Sequence, residues 1–222
     1  MPAVDPDPRL GWDPAPRRGW VTPHVAAEFP GLGIAWVEVD SRPGRSGDSV
    51  KRRLHQLSDR FYGAHAIRMR ERPIPWAYRV FFRHIGLDPD RTRTPVEQLA
   101  LDRLHDGAFR SRGLPADALT IATVETGVAL RAFDADRVEG RLCIRASAPG
   151  ESLAGGTELA QGTLVIADEV DPAGLLFGAT AEGFAVGSSC RRIAVVAIEV
   201  EGVPQIAIEE ALWIAAAELS SG

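Results

Sequence analysis

Carboxylates and histidines are the side chains with which this 222-residue chain would do acid–base or metal chemistry. Five acidic residues lie near the ends of predicted helices and strands: Glu125, Asp134, Asp136, Asp168 and Glu169. Paired carboxylates can bind a metal ion or transfer protons. Acidic residues also cap helices and fill turns, where aspartate is favoured. The spacing of these residues favours that structural role over a catalytic one.

The histidines and cysteines show no metal-binding pattern. The histidines are His24, His55, His65, His84 and His105. No two of them are four residues apart, as a helical zinc motif requires. Cys143 and Cys190 are far apart in the chain and are interpreted as reduced thiols in or near the core. The sequence therefore predicts no metal site.

Standard catalytic signatures are absent from the sequence as well. It has no GxGxxG after a predicted strand, no Walker loop, no GxSxG, no HExxH and no CxxC pair. Each of these motifs positions a nucleophile, a metal or a phosphate group. The sequence thus indicates no cofactor.

Charge is distributed unevenly along the chain. The net charge is -5, but residues 1–112 contain 19 Lys and Arg against 14 Asp and Glu, whereas residues 113–222 contain 6 against 16. Such asymmetry is typical of a basic face that binds nucleic acid. Because 24 of the 25 basic residues are arginine, codon bias of a GC-rich genome explains the same numbers. Both interpretations stay open.

Composition places the chain among soluble proteins. It is 45% hydrophobic, yet no apolar run reaches the ~18 residues that span a bilayer. Residues 1–19 are rich in Pro and Asp, lack the apolar core of a signal peptide and are predicted to form a flexible leader. We expect a cytoplasmic protein with no membrane partner.

The elements that must position any site follow from periodicity and turn residues. Helices are predicted over 22–29, 48–62, 74–85, 95–105, 116–125 and 205–219, and strands over 33–40, 141–146, 162–168, 175–177 and 193–200. Several are bounded by expected caps, such as Thr94 before and Gly107 after the 95–105 helix. Helices that mostly precede strands indicate an α+β layered domain.

Residues 123–140, TVETGVALRAFDADRVEG, contain a distinctive order of short motifs. Glu125-Thr126-Gly127 ends a predicted helix, and an AFDADR segment at 132–137 precedes Gly140. The later segments RLCIRASAPGESL, GTLVIADE and IAVVAIEV, and the earlier WAYRVFFRHIGLDPD, keep the same order. Together, over residues 20–204, they resemble the B3/B4 domain, the editing module of bacterial phenylalanyl-tRNA synthetase β subunits, in its free-standing form.

The resemblance implies a fold and a chemistry. The fold is an α+β unit with packed sheets and helices on one side, here spanning residues 20–222. In the synthetase, this module receives the 3′ end of a mischarged tRNA and hydrolyses its ester with water as the nucleophile and without a metal. An aminoacyl ester is reactive, so a pocket that orients water and stabilises an oxyanion suffices.

The resemblance also designates candidate residues. The pocket candidates are Thr120, Thr123, Arg131 and Glu199, and the RNA-contact candidates are Arg52, Arg53, Arg79 and Arg83. Arg131 stands where the synthetases commonly have histidine. Arginine binds phosphate or carboxylate in a bidentate manner but is no general base at neutral pH. The catalytic residue itself is not designated.

Three functions follow as hypotheses. The first is a module that binds tRNA or aminoacyl-tRNA and hydrolyses mischarged species in trans. The second is a non-catalytic module of the same fold that binds an amino acid or small ligand, and the third is a structural or interaction domain. Binding that weakens as salt rises distinguishes the first, because phosphate contacts release counterions.

Overall fold

A computed structural model describes residues 15–61, 68–153 and 156–221. Within this part the helices are α1 (Pro23–Glu28), α2 (Asp48–Arg60), α3 (Pro73–His84), α4 (Pro95–Asp106), α5 (Leu114–Thr126) and α6 (Gln205–Ser220). The strands are β1 (Arg17–Arg18), β2 (Trp20–Val21), β3 (Gly33–Asp40), β4 (Leu130–Asp134), β5 (Cys143–Ala146), β6 (Ser152–Leu153), β7 (Thr157–Glu158), β8 (Leu164–Ala167), β9 (Pro172–Leu175) and β10 (Arg192–Glu199). Two single-turn 3-10 helices cover Ala135–Arg137 and Glu182–Phe184.

The first sheet is antiparallel and has the strand order β1-β3-β10-β4. Strand β10 is central, so that Ile193 lies opposite both Val39 of β3 and Asp134 of β4. Its sequence is almost continuously apolar, which is typical of a strand buried on both faces. Successive side chains point to opposite faces, and both faces of this sheet are therefore available for packing.

Helices α5 and α6 pack on one face of the first sheet, and α2 and α4 pack against α5 to complete a helical layer on that side. Val37 of β3 and Val195 of β10 point into this helical layer, where they join Ile121 of α5 and Leu212 of α6 in one buried cluster. Helix α6 is apolar around most of its circumference and packs along α5 as well as on the sheet. The helical layer therefore buries most of the apolar surface of these helices.

The other face of the first sheet packs on a second sheet with the order β2-β5-β8-β9. Trp36 and Val196 of the first sheet share a buried cluster with Ile144 and Ile166 of the second. Helix α3 joins this cluster through Tyr78, whose hydroxyl donates to the Ile198 carbonyl (2.5 Å) and accepts from the Ala129 amide (3.1 Å). The first sheet is thus the middle layer of the domain.

This architecture confirms the predicted α+β class with packed sheets. One detail differs: α1 and α3 direct buried residues, among them Val25 and Tyr78, into the core between the sheets and not into the helical layer. Arg17–Arg18, inside the predicted leader, pair with β3, while residues 1–14 lie outside the described residues. In the described part of the chain, no helix is long and apolar enough to cross a bilayer.

Capping residues explain why most helix boundaries were predictable. Thr94 and Glu97 form a capping box at the start of α4, and Gly107 ends that helix in the left-handed conformation with φ 78°. Gly127 ends α5 in the same way. At α2 the predicted cap Asp48 is the first helical residue and Gly47 precedes it. The predicted end of this helix at Tyr62 lies outside the described residues.

Several strands differ from the prediction, which did not include the two-residue strands β1, β2, β6 and β7. Strand β4 was not predicted, because Arg131 and Ala132 interrupt its apolar pattern; pairing with β10 makes it a strand. Strand β9 covers Pro172–Leu175, whereas the prediction placed it over 175–177. A Cβ on Gly174 would lie 2.8 Å from the Ala179 carbonyl oxygen, so glycine permits the close return of the chain there. The apolar run that suggested 175–177 instead places Leu176 in the core.

Candidate functional site

The predicted pocket residues do not form one pocket. Thr120 and Thr123 are on α5 in the helical layer, on one face of the first sheet. Arg131 on β4 contacts Phe133, Leu175 and Thr180 on the opposite face. Because the first sheet lies between them, these candidates cannot contact the same ligand atom.

The two threonines have structural contacts within their helix. The Thr120 hydroxyl donates to the Ala116 carbonyl one turn earlier (2.8 Å). This back-bonding is common for hydroxyl side chains inside helices. Thr123 is 4% exposed, and its carbonyl accepts the amide of the C-cap residue Gly127. Both residues therefore contribute to helix α5 and its packing in this structure.

Glu199, at the end of β10, forms an ion pair with Arg18. The Arg18 Nη1 donates to both carboxylate oxygens, at 2.6 and 2.7 Å, and its Nη2 donates to Gln205 at the start of α6. Gly33 lies directly opposite, and a Cβ there would come within 2.8 Å of the Glu199 carboxylate. The carboxylate of Glu199 thus ties the first strand, through Arg18, to the end of β10, and the same arginine contacts the start of α6.

Arg131 is the candidate whose surroundings resemble a binding site. Its Nη1 donates to the Leu175 carbonyl (2.8 Å) and its Nη2 to the Thr180 hydroxyl (2.7 Å), both in or beside β9. The guanidinium carbon lies 5.7 Å from the centre of the Phe133 ring. The side chain therefore reaches from the edge strand of the first sheet to the second, and the ring and two neutral oxygens hold it in one orientation.

The guanidinium of Arg131 has no negative partner among the described residues. Burial lowers its pKa to about 10, and no described carboxylate opposes this effect. The group remains protonated at neutral pH. Arginine has five N–H donors, and the two bonds to Leu175 and Thr180 are those that Arg131 makes to described residues. A partly buried cation with unused donors is an arrangement that an anionic or carbonyl oxygen of a ligand can complete.

The RNA-contact candidates are placed in different environments. Arg53 binds Glu125 (2.6 Å) and Glu218, and Arg79, with a side chain 5% exposed, binds Asp90 and Glu97. Arg52 and Arg83 are exposed, and the Arg83 guanidinium carbon lies 5.6 Å from the centre of the Trp76 ring. Arg52 and Arg83 are thus the two of these residues whose guanidinium groups are presented to solvent.

The acidic residues near β4 and β8 fix turns. Asp134 accepts from the Asp136 amide (3.1 Å), and Asp168 accepts from the amides of Glu139, Val170 and Asp171, each at 2.8 Å. These contacts agree with the structural role expected from the sequence. Among the described residues no cluster of His, Cys, Asp and Glu is arranged to hold a metal ion, and His65 lies outside them.

Both cysteines are buried thiols, as expected. Burial raises the pKa of Cys143, and burial with the nearby Asp134 raises the pKa of Cys190 to about 11. A thiol must lose its proton to act as a nucleophile. These two residues are therefore unsuited to nucleophilic catalysis at neutral pH.

Sequence reasoning missed the residues around Arg131, namely Phe133 beside it and Leu175 and Thr180 across from it. The one available signal was Gly174, since an isolated glycine in a strand often marks a close approach of two backbones. It permits the return that places Thr180 beside Arg131: a Cβ at Gly174 would lie 3.2 Å from the Thr180 Cα and 3.3 Å from the Arg131 Nη2. The contact with Leu175 joins segments 44 residues apart and had no local signal. Phe133 lies two residues from Arg131 on the same strand, so that strand alternation places both side chains on one face.

Comparison with known families agrees with this architecture. The family model of the B3/4 domain matches residues 77–211, which include β4 with Arg131, strands β5, β8 and β9 of the second sheet, and β10. None of the curated proteins compared with the chain matches it. Because the matched segment is more than half of the chain, the protein belongs to the B3/4 domain family.

Proposed function

We propose that this B3/4 protein binds the aminoacylated 3′ end of a tRNA, in the cytoplasm, and hydrolyses the ester of mischarged species in trans. The observation that supports this function is the Arg131 guanidinium, which is held between the two sheets by neutral oxygens and lacks a carboxylate among the described residues. The resemblance to the synthetase editing module supports the same function, since Arg131 stands where those synthetases commonly have histidine.

The chemistry assigned to Arg131 is electrostatic. In ester hydrolysis, water adds to the carbonyl carbon and the carbonyl oxygen becomes negative. Collapse of this intermediate breaks the bond to the ribose oxygen, which takes a proton as the amino acid leaves. An N–H donor already positioned at the oxyanion stabilises the transition state. Because Arg131 stays protonated, it serves as that donor or as a phosphate ligand, and water activation does not require it as a base.

The Thr180 hydroxyl and the Phe133 ring act as positioning groups for Arg131. A donor must be held near its productive orientation for electrostatic stabilisation to be effective. The hydrogen bond to Thr180 (2.7 Å) and the contact with the ring limit rotation of the guanidinium. Thr180→Val would loosen this orientation without changing the charge, and we expect a smaller effect than from removing Arg131.

The test is deacylation of a panel of correctly and wrongly charged aminoacyl-tRNAs by the wild-type protein, Arg131→Ala and Arg131→Lys. The matched control is Arg45→Ala, which removes one exposed arginine elsewhere. Accelerated hydrolysis of one mischarged species, lost in Arg131→Ala and unaffected in Arg45→Ala, supports the proposal. If no species is deacylated faster than without protein, the hydrolytic part is wrong.

A second candidate is a module that binds a free amino acid without catalysis. The same guanidinium favours it, because a carboxylate matches the fork of arginine donors. Calorimetric titration with free amino acids separates the two functions. Binding of an amino acid that Arg131→Ala abolishes, without tRNA binding, would assign the second function.

A further inference from the structure

Helix α6 has an exposed stripe on the side that faces away from the first sheet. This outer stripe consists of Ile206, Glu210, Trp213 and Ala217, which follow one another at helical spacing and therefore lie on one face. The buried residues of α6, such as Leu212, lie on the opposite face. Ile206 is 67% exposed and Trp213 is 53% exposed. Two large apolar side chains on one exposed helix face are typical of a surface that another protein covers.

The two ends of the outer stripe differ in charge. Glu209 and Glu210, in the first half of α6, form no ion pair with a described residue. At the last turn of α6, Glu218 binds Arg53 of α2. Arg52 is the neighbour of Arg53 in the chain, is exposed, and forms no ion pair within the described part of the protein. The surface therefore changes from acidic near the start of α6 to basic near its end.

A groove of about 450 Å³ adjoins the last turn of α6. It is lined by the end of α6, the residues at and after the end of β3, and the residue before β10, namely Asp40, Ser41, Arg42, Arg191, Leu219 and Ser220. Ser220 lies seven residues after Trp213, and Ile206 lies seven residues before it. The groove and the exposed Ile206 side chain are therefore about equally far from Trp213, roughly 10 Å along the helix in opposite directions.

We propose that the outer stripe is the interface of a homodimer, in which two copies of α6 pack antiparallel about a two-fold axis through Trp213. This axis places Ile206 of each copy in the groove beside Ser220 of the other, because both residues are equally far from Trp213. It also places Glu210 of each copy near Arg52 of the other. The surface is thus complementary to itself in shape and in charge, as an interface with two-fold symmetry requires.

The position of the axis follows from charge and side-chain type. An axis through Glu210 would bring two carboxylates together, and like charges across an interface oppose association. An axis through Trp213 brings two indole rings together, and tryptophan is enriched at the centres of protein interfaces. The contact from Ile206 to Ser220 is only about 21 Å long and one helix wide. Because small interfaces belong to weak complexes, we expect a reversible dimer with a Kd of about 10 µM.

The dimer interface is separate from the site of the proposed function. Helix α6 lies in the helical layer on one face of the first sheet, whereas the Arg131 side chain contacts Leu175 and Thr180 on the opposite face. Dimerisation therefore leaves Arg131 accessible in both copies. The dimer goes beyond the proposed function and does not depend on it.

The test is sedimentation velocity of the full chain at low salt, from about 1 to about 200 µM, a range that brackets the expected Kd. We expect the wild-type protein to change from monomer to dimer across this range. Trp213→Ala should raise the Kd about tenfold or more, because the central contact is lost. The matched control is Trp76→Ala on α3, which removes a tryptophan that is 48% exposed and should leave the Kd within about twofold.

Charge reversal tests the antiparallel arrangement. Glu210→Arg and Arg52→Glu should each raise the Kd about tenfold, because each change places like charges in contact at both ends of the interface. In an equimolar mixture of the two variants, the mixed dimer again joins opposite charges at both ends. The mixture should therefore recover the wild-type Kd within about threefold. Circular dichroism and thermal unfolding of each variant check that the fold is retained.

Three outcomes would overturn the proposal. A wild-type protein that stays monomeric at the highest concentration would exclude a second copy and leave the outer stripe to a protein of different sequence. A dimer that Trp213→Ala leaves intact would place the interface on another surface. A mixture of Glu210→Arg and Arg52→Glu that dimerises no better than either variant alone would exclude the two-fold axis through Trp213.

Discussion

The two faces of the first sheet differ in whether their arginines have a carboxylate partner. On the helical side, Arg53 lies between Glu125 and Glu218. On the other side, Arg131 contacts two neutral oxygens and an aromatic ring, and no carboxylate in the described part of the chain. The N–H donors of Arg53 are used in ion pairs within the protein, which gives it a structural role. Arg131 keeps N–H donors that a ligand can use, which makes it a candidate binding residue.

The largest expected effect on stability comes from breaking the buried ion pair between Arg79 and Glu97. Glu97→Ala leaves Arg79, with a side chain 5% exposed, without its buried partner and also removes the capping box of α4. We expect the free energy of unfolding to fall by about 3 kcal/mol, because the buried Arg79 guanidinium then keeps only the exposed carboxylate of Asp90 as a partner. Urea denaturation measures this loss. The control is Asp102→Ala on the same helix, whose exposed contact with Gln98 should contribute less than about 0.5 kcal/mol. Equal effects of the two changes would contradict the comparison.

Arg131 and Arg53 should differ in whether their loss affects activity or stability. Arg131→Ala should lower deacylation or tRNA binding about 100-fold, while changing the free energy of unfolding by about 1 kcal/mol or less, since no ion pair is lost. Arg53→Ala should have the opposite effects. It removes the ion pairs of Glu125 and Glu218 with Arg53, so it should lower the free energy of unfolding and leave deacylation unchanged. Paired assays of hydrolysis and urea unfolding test both variants. A stability loss from Arg131→Ala as large as that from Arg53→Ala would make Arg131 a structural residue.

A smaller effect is expected at Arg145, which lies on the second sheet and has its own carboxylate. The Arg145 guanidinium lowers the pKa of Glu151 by a hydrogen bond to its carboxylate. A lowered carboxyl pKa stabilises the folded state above the unfolded pKa, and this contribution is lost as pH falls through the folded value. Glu151→Gln should therefore reduce stability by less than about 1 kcal/mol at pH 7, since the pair is partly exposed.

The difference between Glu151→Gln and the wild-type protein should begin to shrink as the pH falls below 4.5, the ordinary pKa of a glutamate carboxyl, and disappear once the pH is below the lowered pKa of Glu151 in the folded state. Thermal unfolding at a series of pH values measures this convergence. A difference that persists in acid would mean that packing, and not charge, links Glu151 to Arg145.

The smallest effect is expected at the thiols. The pKa of Cys190 is raised to about 11 and that of Cys143 is also raised, so both should be protonated at pH 8. Alkylation by iodoacetamide, followed by mass spectrometry, should be slow in the folded protein and fast in urea. Rapid alkylation of either residue under native conditions would show that its segment opens or that the thiol has a partner that lowers its pKa.

Local sequence signals predicted most of the elements. The 95–105 helix was predicted within one residue because its capping box and terminal glycine are contiguous in the chain. Strand β10 was predicted because its apolar run is long and bounded by turns. Strand β4 was missed because Arg131 and Ala132 do not look like strand residues, and it is a strand because β10 pairs with it.

The candidate site was predicted only in part. The motif around Arg131 was recognised from its order in the chain, and the B3/4 family model contains it. The grouping of Arg131 with Thr120 and Thr123 was an assumption of common location, and the first sheet separates them. Periodicity describes which face of an element is apolar, but it does not say which side of a sheet that element will cover.

The sequence by itself determined the α+β class, most helix boundaries with their caps, strands β3, β5, β8 and β10, and the family, because the signals for them lie in residues close together in the chain. Tertiary structure alone decided which arginines form ion pairs with a carboxylate and which side of the first sheet each candidate residue faces. It also decided that His24, His84 and Gln161 line one cavity. These facts depend on contacts between distant segments, whose free energy comes from packing and charge in the assembled layers and not from local conformational preference.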